Sequence, residues 1–239
     1  MIAFSEVSIG AGGLPACSRC SAEVQVRLRD SAEVVRDIRS AVEQWKSGPG
    51  PNVVLGRAEP FLHPELPSIV GAARDAGVRR LRLVTGGGAL GVGENASGSI
   101  QAGVRHLELV LLSGEASIHD ALWGRDGALA AALKGVERFS EAATAHGMPI
   151  ALTGRIPVCR HNAASVPSAV GALGAAGAVS VVIQPAPEGG FAPDAAWLAA
   201  VADTGMVNRV WVTFSGWTEP LPGSTLHAHA PYVTLAGTS

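Results

Sequence analysis

Two thiols, Cys17 and Cys20, are the first residues along the chain that could do chemistry, because a Cys-x-x-Cys pair can hold a metal or cycle as a dithiol. Directly after the apolar run Asn52-Val53-Val54-Leu55 comes Gly56-Arg57-Ala58-Glu59-Pro60-Phe61-Leu62-His63-Pro64-Glu65-Leu66, which places a carboxylate and an imidazole in one turn-rich loop. Thr85 with Gly86, Gly87 and Gly88 follows, and then Ser113, Glu115, His119 and Asp120. Arg155, Cys159, Arg160 and His161 come next, and Gln184 and Glu188 close the series. His119-Asp120 has the composition of an acid–base pair, although an Asp there equally suits a helix start. Each group lies just beyond a short β-branched run. Loops at such a rim are polar in any fold, so only part of this set is expected to act.

The elements that must position these groups alternate regularly. Strands are expected at 2–8, 53–55, 81–85, 107–112, 150–157, 179–183 and 210–214, and helices near 32–45, 66–76, 96–103, 128–146, 168–175 and 193–202. Glycines 48, 77, 147, 177 and 205 fall where those helices should stop. Several strands are nearly continuous apolar runs, as expected when both faces of a parallel sheet are covered. Residues 22–29 alternate like a further short strand. The arrangement predicts one α/β domain over residues 1–214, with the working groups on loops at the carboxyl ends of the strands. Residues 215–239, rich in Pro, Gly, Thr and His, read as a closing segment or tail.

In order and spacing these anchors resemble the radical S-adenosylmethionine (SAM) superfamily. They are the Cys-x-x-Cys, the Glu59-Pro60-x-x-His63-Pro64-x-Leu66 loop, Thr85-Gly86-Gly87, Ser113-Gly114-Glu115 leading to His119-Asp120, the Gly124-Arg125-Asp126-Gly127 turn, and Asn162. The resemblance covers roughly residues 2–187. It implies a partial (βα)6 TIM-like barrel with a [4Fe-4S] cluster and SAM at its mouth, the cofactor supplying the radical chemistry. It also implies that Cys17 and Cys20 are cluster ligands, that Glu59 and Pro60 border the SAM amino group, and that Thr85, Ser113 and Arg155 lie in the cofactor zone. Five positions depart from the family pattern: Gly13 replaces the first cluster cysteine, and Arg19 the aromatic residue before the last. Arg57-Ala58 replaces a glycine pair, and Gly86 an Asn. A retained framework with drifted cofactor positions implies a SAM-binding or partner subunit in a modification or biosynthetic pathway, with a defective or altered cluster. The alternative is a competent radical SAM enzyme with a non-standard third ligand. Cys159 is the remaining cysteine, and a buried, inert role suits it better than ligation.

Other readings are weaker. His227 and His229 could complete a zinc site with the two thiols, but their spacing is tighter than usual. Gly86 to Gly91 satisfies G-x-G-x-x-G after a strand, so a metal-independent nucleotide binder is a further alternative, although such loops usually open the first β-α unit. The chain has 239 residues, 47% of them hydrophobic and 16% charged, with a net charge of -2. No Lys/Arg run is present, which excludes an electrostatic footprint for nucleic acid. Three cysteines do not make a disulfide framework, so the chain reads as reduced and cytoplasmic. The uncharged stretch 162–187 is Ala/Gly/Ser-rich and broken by Pro167 and Pro185, so it predicts a helix and a buried strand and no membrane span. A protein partner, or a peptide or small-molecule substrate, is left as the expected company.

Overall fold

The computed structural model describes residues 4–12, 26–45, 50–186, 190–217 and 233–234. Six β-α units follow one another. Strand β1 (Ser5–Gly12) leads past the two-residue β2 (Arg27–Leu28) to α1 (Ser31–Glu43). Next come β3 (Asn52–Ala58) with α2 (Leu66–Asp75), and β4 (Arg80–Thr85) with α3 (Asn95–Ala102). Strand β5 (His106–Val110) is followed by two helices, α4 (Ala116–Trp123) and α5 (Ala128–Ala145). Then β6 (Ala151–Val158) precedes α6 (Val166–Ala175), β7 (Ser180–Pro185) precedes α7 (Ala195–Val207), and β8 (Trp211–Phe214) ends the series. The sheet runs β2-β1-β3-β4-β5-β6-β7-β8, and every neighbouring pair is parallel except β2 against β1. A short β9 (Val233–Thr234) lies parallel to Ser5 and Glu6 of β1.

The register explains why strands of this composition curl into a partial barrel with helices outside. Val53, Leu55, Leu83, Leu107, Leu109, Ile156, Val181 and Ile183 are all buried in one large core cluster with residues of the helices, such as Ile38, Ile69, Phe139 and Leu173. Alternate positions belong to the opposite face, where Phe4, Val54, Val84 and Val110 form a separate small cluster. The charged strand residues Glu6, Arg82, Glu108 and Arg155 share the side-chain parity of that second face. The helices are locally encoded. Asp30 accepts the Ala32 N–H at the start of α1, whose Val34, Ile38 and Ala41 are buried, and left-handed Gly103 and Gly124 stop α3 and α4.

All the expected strands and helices are present, with ends displaced by up to a few residues. The first strand lies later than its apolar pattern suggests, because β1 carries on through fully buried Ile9 to Gly12. Of the expected strand at 22–29, the described part is strand only at Arg27–Leu28, and it is antiparallel. Residues 116–123, assigned by sequence to a loop, form α4; eight residues are too few to display a helical period. Among the described residues no helix is long and apolar enough to cross a membrane.

Candidate functional site

The β3 loop is organised around Glu59. Its carboxylate accepts three donors: the Phe61 N–H at 3.3 Å, the Gly86 N–H at 2.8 Å and the Thr85 hydroxyl at 2.8 Å. Thr85 Oγ1 in turn accepts the Gly87 N–H at 2.9 Å. Glu59 is 4% exposed, so its side chain joins the ends of β3 and β4 from within. Burial pushes its pKa up to about 7, against the pull of those donors. His63 staples the same loop to the start of α1. Its Nδ1 accepts the Glu65 N–H, leaving Nε2 to donate to the Arg29 carbonyl at 2.9 Å. Glu65 accepts the Ser31 hydroxyl at 2.7 Å. Glu59, Pro60 and Thr85 are therefore brought into one unit, with the Glu59 carboxylate consumed by the protein itself.

Two of the departures seen in sequence have structural counterparts. Arg57 holds φ at 68°, left-handed backbone that favours glycine, so the glycine-type bend survives beneath a long cationic side chain. That guanidinium is half exposed and lies 3.5 Å from the carboxylate of Glu6 on β1. At Gly86 an added Cβ would lie 2.2 Å from the Trp123 ring, which itself stacks on His119 at 5.4 Å between centroids. Trp123 occupies the room that an Asn side chain at position 86 would need. Gly86→Asn is accordingly expected to cost about 1–3 kcal/mol through overpacking and to be largely relieved by Trp123→Ala. Urea unfolding of the two single variants and the double variant checks this, and simple additivity would refute it.

Arg155 shares the sheet face of Arg82 and Glu108. Its Nε donates to Glu108, which also accepts Arg82 Nη1 at 2.9 Å. Glu108 is fully buried, and the Arg82 guanidinium stacks on the Phe4 ring, 4.1 Å from its centre. Ser113 is fully buried and its hydroxyl accepts the Glu115 N–H at 2.9 Å, shaping the loop after β5. His119 and Asp120 do not pair through a hydrogen bond. Asp120 accepts the Gly127 and Leu129 N–H groups and caps α5, and these bonds hold its pKa down. His119 turns to the end of β5, where Nδ1 accepts the Leu112 N–H, and burial lowers its pKa. Asn162 joins the ends of β5 and β6 by donating to Leu112 O and Pro157 O and accepting from Cys159 N. Cys159 packs with Leu112, Leu122 and Ala186 in an apolar cluster.

Gly13, Cys17, Arg19 and Cys20 lie outside the described residues, as do Glu188, His227 and His229. Among the described residues no group of three or more His, Cys, Asp or Glu side chains is placed to hold a metal ion. The chain has three cysteines, two on one motif and a third, Cys159, buried beside Leu112, Leu122 and Ala186. The pair Arg57 and Glu6 does match a zwitterion, offering a guanidinium for a carboxylate and a carboxylate for an ammonium group. Sequence reasoning did not single out Glu6, Arg82 or Glu108. The available signal was a charge between leucines within a strand, in Leu81-Arg82-Leu83 and again in Leu107-Glu108-Leu109.

The sequence matches no protein-family model and no curated protein. Its fold matches solved radical SAM enzymes. SuiB of Streptococcus suis, bound to precursor peptide SuiA, superposes with a TM-score of 0.66 at 12% identity, over 91% of this chain and 50% of SuiB. Methylornithine synthase PylB gives 0.57 at 11% identity over 89% of this chain and 65% of PylB. The enzyme anSMEcpe with bound AdoMet gives 0.58 at 13% identity, over 88% of this chain and 64% of that one. The chain thus spans half to under two thirds of the length of these proteins, and what it shares with them is the fold.

Proposed function

We propose that this protein belongs to the radical SAM superfamily and binds SAM at its barrel mouth through protein groups, with an altered or defective iron–sulfur site. It acts as a SAM-binding or partner subunit in a modification or biosynthetic pathway. The observation that carries this reading is the β3–β4 rim. The Glu59–Thr85–Gly86 unit keeps the loop shape while Arg57 adds a guanidinium beside Glu6. In the family, SAM's amino and carboxylate groups are held by cluster iron, and here Glu6 and Arg57 offer complementary charges for both. An intact cluster would supply the electron that cleaves the sulfonium. The bound AdoMet of anSMEcpe supports the ligand assignment. SuiB with precursor peptide SuiA, and anSMEcpe with a Kp18Cys peptide, support a peptide as substrate or partner.

Calorimetry with SAM on anaerobically purified protein tests the reading. Wild type is expected to bind one SAM per chain without added iron. Arg57→Gly is expected to weaken binding about tenfold, or about 1.4 kcal/mol. The same variant relieves the left-handed backbone, so its melting temperature should rise by about 2–4 °C for a gain near 1 kcal/mol. Opposite signs for binding and stability separate a ligand-contacting role from a loss of fold. Undetectable SAM binding by wild type would remove the assignment. Close to four irons per chain with release of 5′-deoxyadenosine would show a competent enzyme.

A further inference from the structure

The opposite end of the barrel holds a cavity whose reading is independent of the SAM assignment. The α2–β4, α3–β5 and α5–β6 connections enclose a cavity of about 500 Å³ at the amino ends of β4, β5 and β6. Arg74, Arg79, Arg80 and Arg105 line it together with apolar residues such as Val70 and Ile150, and no acidic side chain is among its lining residues. This is an unusual concentration for a chain of net charge -2 with 18 Lys and Arg in all.

Two of these arginines have work within the fold. Arg74 stands in the last turn of α2 and pairs with Asp75 at 3.4 Å, and Arg105 donates to the Ile100 and Val104 carbonyls at the end of α3. Arg79 and Arg80 do not: both are exposed, and neither side chain makes a hydrogen bond or ion pair among the described residues. The positive field they help create is felt by a neighbour. The pKa of His106, another lining residue, falls to about 4 through burial and then through the charges of Arg82 and Arg80, with Glu108 opposing. The base of an α/β barrel ordinarily serves stability, yet like charges gathered around one hollow repel each other. An anion in the hollow removes that repulsion.

We propose that this cavity binds a small soluble ligand bearing two or more phosphate groups. Its volume lies within the range of small-molecule sites, roughly 300–1,000 Å³. Guanidinium forks match phosphate oxygens, and linked phosphates place several negative charges within the few ångströms such a hollow allows. Carboxylates would need one carbon branch for each charge. The apolar walls suit an uncharged body attached to the phosphates.

The test uses inorganic tripolyphosphate as the probe, titrated calorimetrically at constant ionic strength into wild type and Arg79→Ala/Arg80→Ala. Saturable one-to-one binding to wild type, at least tenfold weaker in the double variant, is expected. Both positions are exposed and their loss relieves like-charge repulsion, so the variant should melt no lower than wild type. Arg80→Ala alone serves as a second variant, with an intermediate loss. Equal affinity in wild type and both variants, or no saturation, would overturn the proposal. So would binding to hexaglutamate, or to vesicles containing phosphatidylinositol bisphosphate, by a protein that ignores tripolyphosphate. SAM binding should be the same in wild type and double variant, which keeps this test separate from that of the barrel mouth.

Discussion

Glu108→Ala is expected to cost about 3–5 kcal/mol, a large share of the roughly 5–15 kcal/mol that holds a typical domain folded. Glu108 stands at the centre of β5, fully buried, and joins Arg82 of β4 to Arg155 of β6. A buried ion pair adds little compared with an apolar replacement, because desolvation offsets most of the attraction. Removing one member is another matter. It leaves two guanidiniums, each with a side chain only 14% exposed, without that counter-charge. Glu108→Gln keeps an acceptor and the shape, and should lose less. Urea unfolding reads the difference as a shift in midpoint at constant slope. A loss below about 1 kcal/mol in the alanine variant would mean that the three residues are not energetically coupled as the geometry requires. The simultaneous change of Arg82, Glu108 and Arg155 to Met should recover much of the loss, as uncharged side chains need no partner.

Glu59→Ala is expected to cost about 3 kcal/mol or more and to abolish SAM binding. The Phe61 and Gly86 N–H groups and the Thr85 hydroxyl would all lose their acceptor inside the protein. The pH dependence gives a second, independent handle. The folded pKa of Glu59 is about 7 against 4.5 for the free group, so between these values the native state holds a proton that the unfolded chain has released. Stability from this residue is therefore greatest below about pH 4.5 and declines as pH rises towards 7, by about 3 kcal/mol at most. His106 acts in the opposite direction. Its folded pKa of about 4 lies below the ordinary 6.5, so its contribution grows as pH rises through that window. For this reason the quantity to measure is the difference between wild type and Glu59→Gln in urea midpoints at pH 5 and pH 8. Wild type should lose its advantage at the higher pH, and a difference independent of pH would contradict the buried, proton-binding carboxylate.

These two carboxylates mark how far the primary structure could be read. The framework was legible because it is written locally. The apolar runs of β3 to β7 and the glycines after the helices each act within a few residues, and their alternation allows few folds other than a parallel α/β sheet. Glu59 and Thr85 could be singled out from the chain, since loops beyond strand ends are where such folds keep their chemistry. Their hydrogen bond could not, because it joins residues 26 positions apart through the register of β3 on β4.

What the amino-acid order alone determined, then, was the succession of elements and the rim to which the polar loops belong. Only the tertiary structure decided which side chains meet. It turned the Glu59 carboxylate inward, set Arg57 against Glu6, assigned Asp120 to a helix cap and gathered four arginines beneath the barrel. The physical reason is range. Secondary structure follows from torsional preference and periodic burial over a handful of neighbours, whereas ion pairs, buried acceptors and cavities depend on strands brought side by side from distant parts of the chain.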